Sequence, residues 1–517
     1  MAENITLEQI QDFKGKYPKQ LWSLFFSEMW ERFCFYGMRG MLTYFMVTKL
    51  MMNDVDANLQ YGATQAFVYA FTFIGGLFAD KILGFRKSLF WGGILMIVGS
   101  TILAYDPKQF FFLGLSFTVV GTGFFKPNIS TMVGKLYRSD DIRRDAGFSV
   151  FYAGINIGAL LGGYACIAIG KQYSWHLAFG LAAIVMTMSL VTFLFTQKTL
   201  GPIGLPPSTD EEVVDETFVG IDERVQPEPA VIKRKSISKK WYDYAVYVGT
   251  LSVVPLIMIM VAKTQYTDWF MYTIGPATLF YLFFEMSKYS IAERKKLVAA
   301  LVFILFSIVF WGIYEQSGGS LALFAARNLD NKILGVITVD PNGVNNSANS
   351  LFVIIFAFVI SFIWIGMAKK KIEPNTIIKF GLGFLFLGAA YFIFYSTRYF
   401  ATPEGIASLD VFTIAYFVVT IGELCLSPIG LSIMTKLSPP KLQGVMMGMW
   451  FLASAYGQYV AGLLGANLSE AGENESALQK LMTYTDGYKQ LAIYSIVAGV
   501  ILIAISPLVK KLMQEVK

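Results

Sequence analysis

The sequence predicts an all-α, polytopic membrane protein with fourteen transmembrane helices. Of the 517 residues, 55% are hydrophobic and only 15% are charged, whereas an ordinary soluble protein carries about 25% charged residues. Apolar runs close to the roughly 20 residues that cross a bilayer recur along the chain, for example at 351–368 and 493–509. A chain with this composition and these runs buries its helices in lipid.

The predicted spans fall into groups of six, two and six. A polar segment at 209–240, with prolines and charges of both signs, follows the sixth span and is typical of a linker. We predict spans near residues 22–50, 61–80, 88–104, 109–135, 146–169, 175–196, 242–262, 268–288, 296–326, 349–368, 377–398, 409–434, 441–467 and 486–511. The corresponding domains are an N-terminal six-helix bundle at 1–200, a linker at 201–240, an inserted transmembrane hairpin at 241–290 and a C-terminal six-helix bundle at 291–517.

The distribution of basic residues predicts the orientation in the membrane. The short loops and the C-terminal end on one side hold twenty Lys and Arg residues, the N-terminus and linker not counted, whereas the loops on the opposite side hold nine. By the positive-inside rule the richer side is cytoplasmic, and it includes both termini and the linker. The polar N-terminus lacks the apolar core of a cleavable signal peptide, so we expect the first span to direct insertion.

The composition also argues against several function classes. Cys34, Cys166 and Cys425 lie in different predicted spans without a metal-binding spacing, so we expect three free thiols. The only histidine, His176, lies at the outer end of the sixth span, and we interpret it as structural. These residues offer neither a metal site nor a nucleophile with a base, so we predict a protein that is not an enzyme. The net charge of +6 arises from basic helix ends and not from a nucleic-acid surface.

Ionisable residues in the middle of predicted spans are the first functional candidates. A charge at the bilayer centre costs about 2.5–3.5 kcal/mol on insertion scales, so such residues are rarely incidental. Glu28, Arg32 and Arg39, together with Tyr36, follow helical steps of four, four and three in the first span and form a polar stripe about 16 Å long. A stripe this charged must line a wet cavity. The seven mid-span ionisable residues are Glu28, Glu31, Arg32, Arg39, Lys126, Glu315 and Glu423.

This set contains four acids and three bases. If each base pairs with one acid, one carboxyl group is left over, and in a low dielectric its cheapest state is protonated. A buried site with one acid in excess is the arrangement that a proton-coupled carrier needs. A static network of salt bridges that holds the helices together is the alternative interpretation.

Several motifs resemble known membrane carriers. The segment GGLFADKILGFRKS at 75–88 resembles the loop between spans two and three of the major facilitator superfamily, with Phe85 before Arg86 as a departure. The segment EMWERFCFYG at 28–37 resembles the E-x-x-E-R-F-x-Y-Y-G signature of the proton-dependent oligopeptide transporter family, and Phe35 replaces its first tyrosine. The segments GTGFFKPNIS at 121–130 and FYAGINIGA at 151–159 resemble further motifs of that family.

The resemblance implies a fold and a location. Members have the major facilitator fold, in which two six-helix bundles surround a central cavity, and bacterial members carry an inserted two-helix hairpin between the bundles. A bacterial protein of this type is a multi-pass protein of the cell inner membrane with both termini in the cytoplasm.

The resemblance also implies a role for individual residues. Arg32 and Lys126 would hold the carboxylate of a peptide, and Glu423 would hold its amine. Lys126 would also pair with Glu423 when the site is empty. Arg39 would pair with Glu315 to close the external gate. The implied gate residues are Arg39, Glu315, Lys126 and Glu423. The implied proton-coupling residues are Glu28, Glu31, Arg32 and Glu315. The implied peptide-binding residues are Arg32, Tyr36, Tyr69, Lys126, Tyr152, Asn156, Trp311, Asn349, Glu423, Ser427 and Trp450.

The resulting prediction is a proton-coupled symporter that imports di- and tripeptides by alternating access. Its partners are the peptide and the lipid bilayer and not a nucleic acid, and it needs no metal or cofactor besides protons. A carrier of another small anion, such as nitrate, is one alternative. The acids Glu28, Glu31 and Glu423 argue against it, because a small anion has no amine for them to bind. A peptide sensor without transport is the other alternative, and the oligomeric state is left open.

Overall fold

Helices of membrane-crossing length form most of the described chain. The structure, a computed structural model, describes residues 5–138, 141, 143–206, 212–214, 231–233, 240–426, 430–439, 442–469 and 475–514. Within these ranges, nine helical stretches are long and apolar enough to cross a membrane by length and composition alone. The first long helix, Lys19–Thr48, is not among them, because its charged and polar side chains lower its hydropathy.

The first half of the chain contains one short helix followed by six long ones. A π-helical turn at Ala79–Leu83 separates two of the long helices, and a 3₁₀ turn at Gln197–Leu200 follows the last. The helices are α1 (Leu7–Gln11), α2 (Lys19–Thr48), α3 (Asp54–Phe78), α4 (Gly84–Tyr105), α5 (Phe111–Gly134), α6 (Arg144–Gln172) and α7 (Trp175–Thr196).

A hairpin of two long helices, α8 (Lys240–Ala262) and α9 (Thr264–Met286), connects the two halves. Two short antiparallel strands precede it, β1 (Glu212–Val214) and β2 (Val231–Lys233). These strands lie in the predicted linker, whose other described residues are 201–206 and Lys240.

The second half contains a span that is interrupted by a short turn. A 3₁₀ turn at Glu315–Gly318 separates the first two helices of this half, and a second 3₁₀ turn lies at Thr397–Phe400. A small antiparallel pair, β3 (Lys332–Ile333) and β4 (Ile337–Thr338), lies in the loop that follows α11. The helices are α10 (Ile291–Tyr314), α11 (Ser320–Asn328), α12 (Pro341–Lys369), α13 (Thr376–Ser396), α14 (Leu409–Leu426), α15 (Gly430–Leu437), α16 (Gln443–Leu468) and α17 (Ala477–Met513).

The fourteen predicted spans all correspond to helices when α10 with α11 and α14 with α15 are counted as one span each. Most spans begin earlier than predicted, and the largest differences are in α3, which begins at 54 and not at 61, in α12, which begins at 341 and not at 349, and in α17, which begins at 477 and not at 486. The first turns of α12 carry buried polar side chains, including Asn342 and Asn345. Hydropathy locates apolar runs, so it misses a helix end whose polar residues are buried in protein.

Successive spans run in alternating directions, so the loops lie on two sides. We call the side where α2 begins at Lys19 the near side and the side where α2 ends at Thr48 the far side. Capping side chains fix helix starts on the far side. Asn53 Oδ1 accepts a hydrogen bond from the Asp56 backbone N–H at 2.8 Å at the start of α3, and such caps satisfy a backbone donor that the helix leaves free.

Two helix pairs form most of the contact between the halves. α3 packs against α16, and α6 packs against α12. The first contact is close, because a Cβ added at Gly62 of α3 would lie 2.6 Å from the Cα of Gly462 of α16. Backbones at this distance leave no room for a side chain, so glycine at both positions allows the halves to meet.

The hairpin lies across the seam between α3 and α16 and is bonded to both halves. On α8, Asp243 pairs with Lys87 at 2.6 Å, and Thr250 accepts a hydrogen bond from Trp91 Nε1 at 2.9 Å. On α9, Asp268 accepts a hydrogen bond from Tyr459 Oη at 2.6 Å. Lys87 and Trp91 belong to the first half and Tyr459 to the second, so the hairpin bridges the halves.

We expect the two ends of this bridge to differ in strength. Asp243→Asn should lower the free energy of unfolding by less than about 1 kcal/mol, because 43% of the Lys87 side chain is exposed and exposed ion pairs contribute little. Tyr459→Phe should cost more, about 1.5–3 kcal/mol, because a buried hydroxyl loses a hydrogen bond to a charged group. Thermal unfolding in detergent measures both, and an equal or larger loss for Asp243→Asn would contradict the expectation.

Candidate functional site

Two carboxyl groups share one guanidinium group on α2. Arg32 Nε lies 3.1 Å from Glu28 Oε1 and is also paired with Glu31. All three residues are buried, with at most 1% of each exposed. Helical spacing explains the arrangement, since residues four apart share a face. One positive charge therefore faces two carboxyl groups, and burying a second unpaired negative charge beside them is costly. We call Glu28, Glu31 and Arg32 the Arg32 cluster.

Phe35, which departs from the family signature, contacts this cluster. Its ring centroid lies 5.2 Å from the guanidinium carbon of Arg32, within the range of a cation–π interaction. At this position the chain places an aromatic face, and not a hydroxyl group, against the buried cation.

The structure brings Arg39 and Glu315 together as an ion pair between the halves. Arg39 Nε also donates to Tyr61 Oη at 2.6 Å, and Arg39 Nη2 donates to Ser317 Oγ at 3.4 Å. Glu315 is the first residue of the 3₁₀ turn after α10. The break in the helix therefore presents its carboxylate to α2. The Tyr36 ring centroid lies 5.8 Å from the Arg39 guanidinium carbon.

Two further ion pairs join the halves on the far side. Lys171 Nζ at the end of α6 lies 2.9 Å from Asp340 Oδ2 before α12. Arg327 of α11 donates through Nη2 to Asp54 Oδ1 of α3 at 2.9 Å, and its Nη1 pairs with the other carboxylate oxygen. Sequence reasoning did not single out these four residues, because charges at helix ends usually face solvent. Together with the Arg39–Glu315 pair, they hold the far side closed.

Lys126 does not form the predicted pair with Glu423. It is half-buried on α5, and its Nζ lies 4.4 Å from the centroid of the Tyr69 ring. No carboxylate of the described residues lies within ion-pair distance of Lys126. The carboxylate of Glu423 is engaged by other donors, so the ammonium group of Lys126 rests on an aromatic face and is left available to an anionic ligand.

Glu423 on α14 is held by two hydrogen bonds from its own half. Tyr314 Oη donates to Glu423 Oε2 at 2.6 Å, and Asn349 Nδ2 donates to the same oxygen at 2.8 Å. Asn349 also donates to Thr420 Oγ1 at 3.1 Å. The structure thus joins two predicted site residues and adds Tyr314, which sequence reasoning missed. Its position directly before Glu315 was the available signal.

The remaining predicted residues are partly used for packing. The Trp311 ring lies edge-on to Tyr314 with centroids 5.1 Å apart, and half-buried Trp450 packs on the apolar core of the second half. Asn156 Nδ2 donates to the backbone oxygen of Tyr152 at 2.9 Å, within α6. Ser427 lies outside the described residues.

The residues assigned no functional role behave as structural groups. His176 Nδ1 is bonded to the Ala104 backbone oxygen at 2.9 Å on the far side. Cys34, Cys166 and Cys425 are buried free thiols. Within the described ranges, His, Cys, Asp and Glu side chains form no group of three or more that could hold a metal ion.

The sequence matches a known family over most of its length. Residues 86–481 match the family model described as the POT family. The chain belongs to the POT family. This confirms the resemblance to proton-dependent oligopeptide transporters, and it confirms a transporter rather than an enzyme.

Similar proteins of this family include named peptide carriers. The peptide transporter YePEPT of Yersinia enterocolitica is 32% identical over 471 residues, which cover 87% of this chain and 88% of that protein. The di-/tripeptide transporter of Lactococcus lactis subsp. lactis is 31% identical over 524 residues, or 97% of each chain. A solved POT family transporter in complex with a thioalcohol-conjugated peptide has a TM-score of 0.79 at 29% identity, and the match covers 98% of this chain and 100% of that one. These likenesses confirm the fold class and a multi-pass membrane protein.

Proposed function

We propose that this protein is a proton-coupled symporter that imports di- and tripeptides across the cell inner membrane. One observation carries the proposal: Arg32 is buried between two carboxyl groups, Glu28 and Glu31, in a span of a POT family protein. The names of its relatives support the substrate class, since both are peptide transporters.

The charged groups suit a zwitterionic peptide. Lys126 and Arg32 offer cations for the peptide carboxylate, and Glu423 offers an anion for the peptide ammonium group. Protonation of Glu28 or Glu31 removes one negative charge from the Arg32 cluster and frees the guanidinium for the ligand. Protons are then the only coupling species, and no cofactor is required.

The orientation follows from the charge distribution. The near side, which holds most of the loop Lys and Arg residues, faces the cytoplasm, so both termini lie there. The far side faces outward, and its three ion pairs close the route from outside. In alternating access these pairs break when the protein opens outward.

The alternatives differ in what the site must bind. A carrier of a small anion such as nitrate needs cations but has no use for Glu423. A sensor binds peptide without moving it. The hydrogen bonds that hold Glu423 in place favour an amine-bearing ligand over nitrate.

Uptake by proteoliposomes tests the proposal. Labelled dialanine should accumulate when the outside is acidic and only equilibrate without a pH gradient. Unlabelled dialanine should compete, whereas N-acetylated dialanine should compete at least about tenfold less well, because it cannot form a charge-assisted bond with Glu423. Competition of labelled dialanine uptake by nitrate would support the anion carrier, and binding of dialanine without uptake would support the sensor.

A further inference from the structure

Two consecutive residues at the end of α10 contact the two parts of the candidate site. Tyr314 is the last residue of α10 and donates to Glu423 at 2.6 Å. Glu315 is the next residue and pairs with Arg39 of the opposite half. A backbone that shifts Tyr314 therefore also shifts Glu315.

The 3₁₀ turn that begins at Glu315 is fastened to the first half. Thr43 of α2 donates to the Gly318 backbone oxygen, and Arg39 donates to Ser317. A Cβ at Gly318 would collide with the Tyr61 ring, which is itself bonded to Arg39. This turn is thus the point where the second half docks on α2.

The other end of the connection is the carboxylate of Glu423. Tyr314 and Asn349 both donate to Oε2, and a carboxylate has about four acceptor sites over its two oxygens. The two donors fix the rotation of the carboxylate and leave Oε1 to receive an ammonium group. Asn349 extends from α12, which reaches the docking turn through a different side chain, since Asn345 Nδ2 donates to the Ser317 backbone oxygen at 2.7 Å. Tyr314 differs from both because its own hydroxyl holds Glu423 and its backbone leads directly into the docking turn.

We infer that Tyr314 is a positioning residue that links amine recognition at Glu423 to the Arg39–Glu315 gate. The inference rests on the proposed function, because it takes a peptide amine as the ligand of Glu423. An ammonium group that draws the carboxylate toward itself pulls on the Tyr314 hydroxyl, and with it on Glu315. A peptide without a free amine exerts no such pull, and the gate does not respond.

Tyr314→Phe removes the hydroxyl and keeps the ring that packs on Phe310 and Trp311. We expect the affinity for dialanine to fall about tenfold, as for a lost hydrogen bond to a charged group, while the affinity for N-acetylated dialanine changes less than about twofold. Tyr391→Phe is the matched control. Tyr391 Oη donates to the Ile313 backbone oxygen at 2.6 Å, so its loss weakens the same helix end without touching Glu423.

Opening of the Arg39–Glu315 gate is measured by pulsed EPR, which gives the distance distribution between two spin labels on the far side. Tyr105→Cys and Val336→Cys place labels at residues 79% exposed in the first and second halves. The native cysteines are buried and do not compete for label. We expect dialanine to shift the distance distribution in the wild-type background and in Tyr391→Phe, but not in Tyr314→Phe.

The outcomes separate the inference from the proposed function. If Tyr314→Phe keeps the dialanine preference and the distance shift, the inference is wrong while the function stands. If Tyr391→Phe loses both as Tyr314→Phe does, the effect is one of helix stability and the inference is also wrong. If the wild type binds neither dialanine nor N-acetylated dialanine, the proposed function itself is wrong. If Tyr314→Phe does not fold, Glu423→Gln replaces it, and a retained distance shift in that variant overturns the inference.

Discussion

Glu31→Gln is expected to abolish the accumulation of dialanine driven by a pH gradient while leaving exchange of labelled for unlabelled dialanine. Glu31 is fully buried and paired with Arg32. Gln cannot take up or release a proton, so the Arg32 cluster permanently keeps only the Glu28 carboxyl group, and peptide binding no longer depends on protonation of residue 31. Uptake should then fall to the level seen without a gradient.

Two variants make this result interpretable. Glu285→Gln changes an acid that pairs with exposed Lys288 at the near end of α9, and it should accumulate dialanine like the wild type. Glu28→Gln removes the other carboxyl group of the Arg32 cluster and shows whether both carry the proton. Full gradient-driven accumulation by Glu31→Gln would remove that residue from the coupling mechanism.

Gly62→Val is expected to open the far side and to stop transport. A Cβ at this position would lie 2.6 Å from the Cα of Gly462, and backbone atoms cannot move aside as a flexible side chain does. The halves must separate at this crossing, at a cost of about 1–3 kcal/mol for overpacking. The separation also strains the Arg39–Glu315, Lys171–Asp340 and Arg327–Asp54 pairs.

EPR between labels at 105 and 336 measures the separation, and proteoliposome uptake measures transport. Gly366→Val is the control, because a Cβ at Gly366 of α12 has no atom within 4 Å. Unchanged far-side distances in Gly62→Val would show that the glycine crossing does not set the closure.

Sequence patterns predicted the fold because membrane spans can be recognised in a sequence by their length and hydropathy. They also predicted the Arg32 cluster and the Arg39–Glu315 pair, since helical spacing and family motifs point to the same residues. The role of Tyr314 was not predicted, because an aromatic residue in a span usually packs against other side chains or faces lipid. Its hydrogen bond to Glu423 depends on tertiary structure alone. The same reason explains why the ion pairs at helix ends were missed.

Lys126 shows a different limit. Its charge and position were visible in the sequence, but its partner depends on which donors already occupy Glu423. With Tyr314 and Asn349 bonded to that carboxylate, the ammonium group of Lys126 lies over the Tyr69 ring. A sequence identifies the charges in such a site more readily than the way they are shared.

The placement of the hairpin makes the two seams between the halves mechanically unequal. Bonds from α8 to α4 and from α9 to α16 join the hairpin to both sides of the α3–α16 seam, whereas in the part of the chain that the structure describes no hydrogen bond or ion pair joins the hairpin to α6 or α12. A widening of the fastened seam must break those bonds, and a widening of the other leaves them intact. The carrier is therefore expected to open more easily at the α6–α12 seam than at the α3–α16 seam, although its two bundles repeat the same six-helix plan.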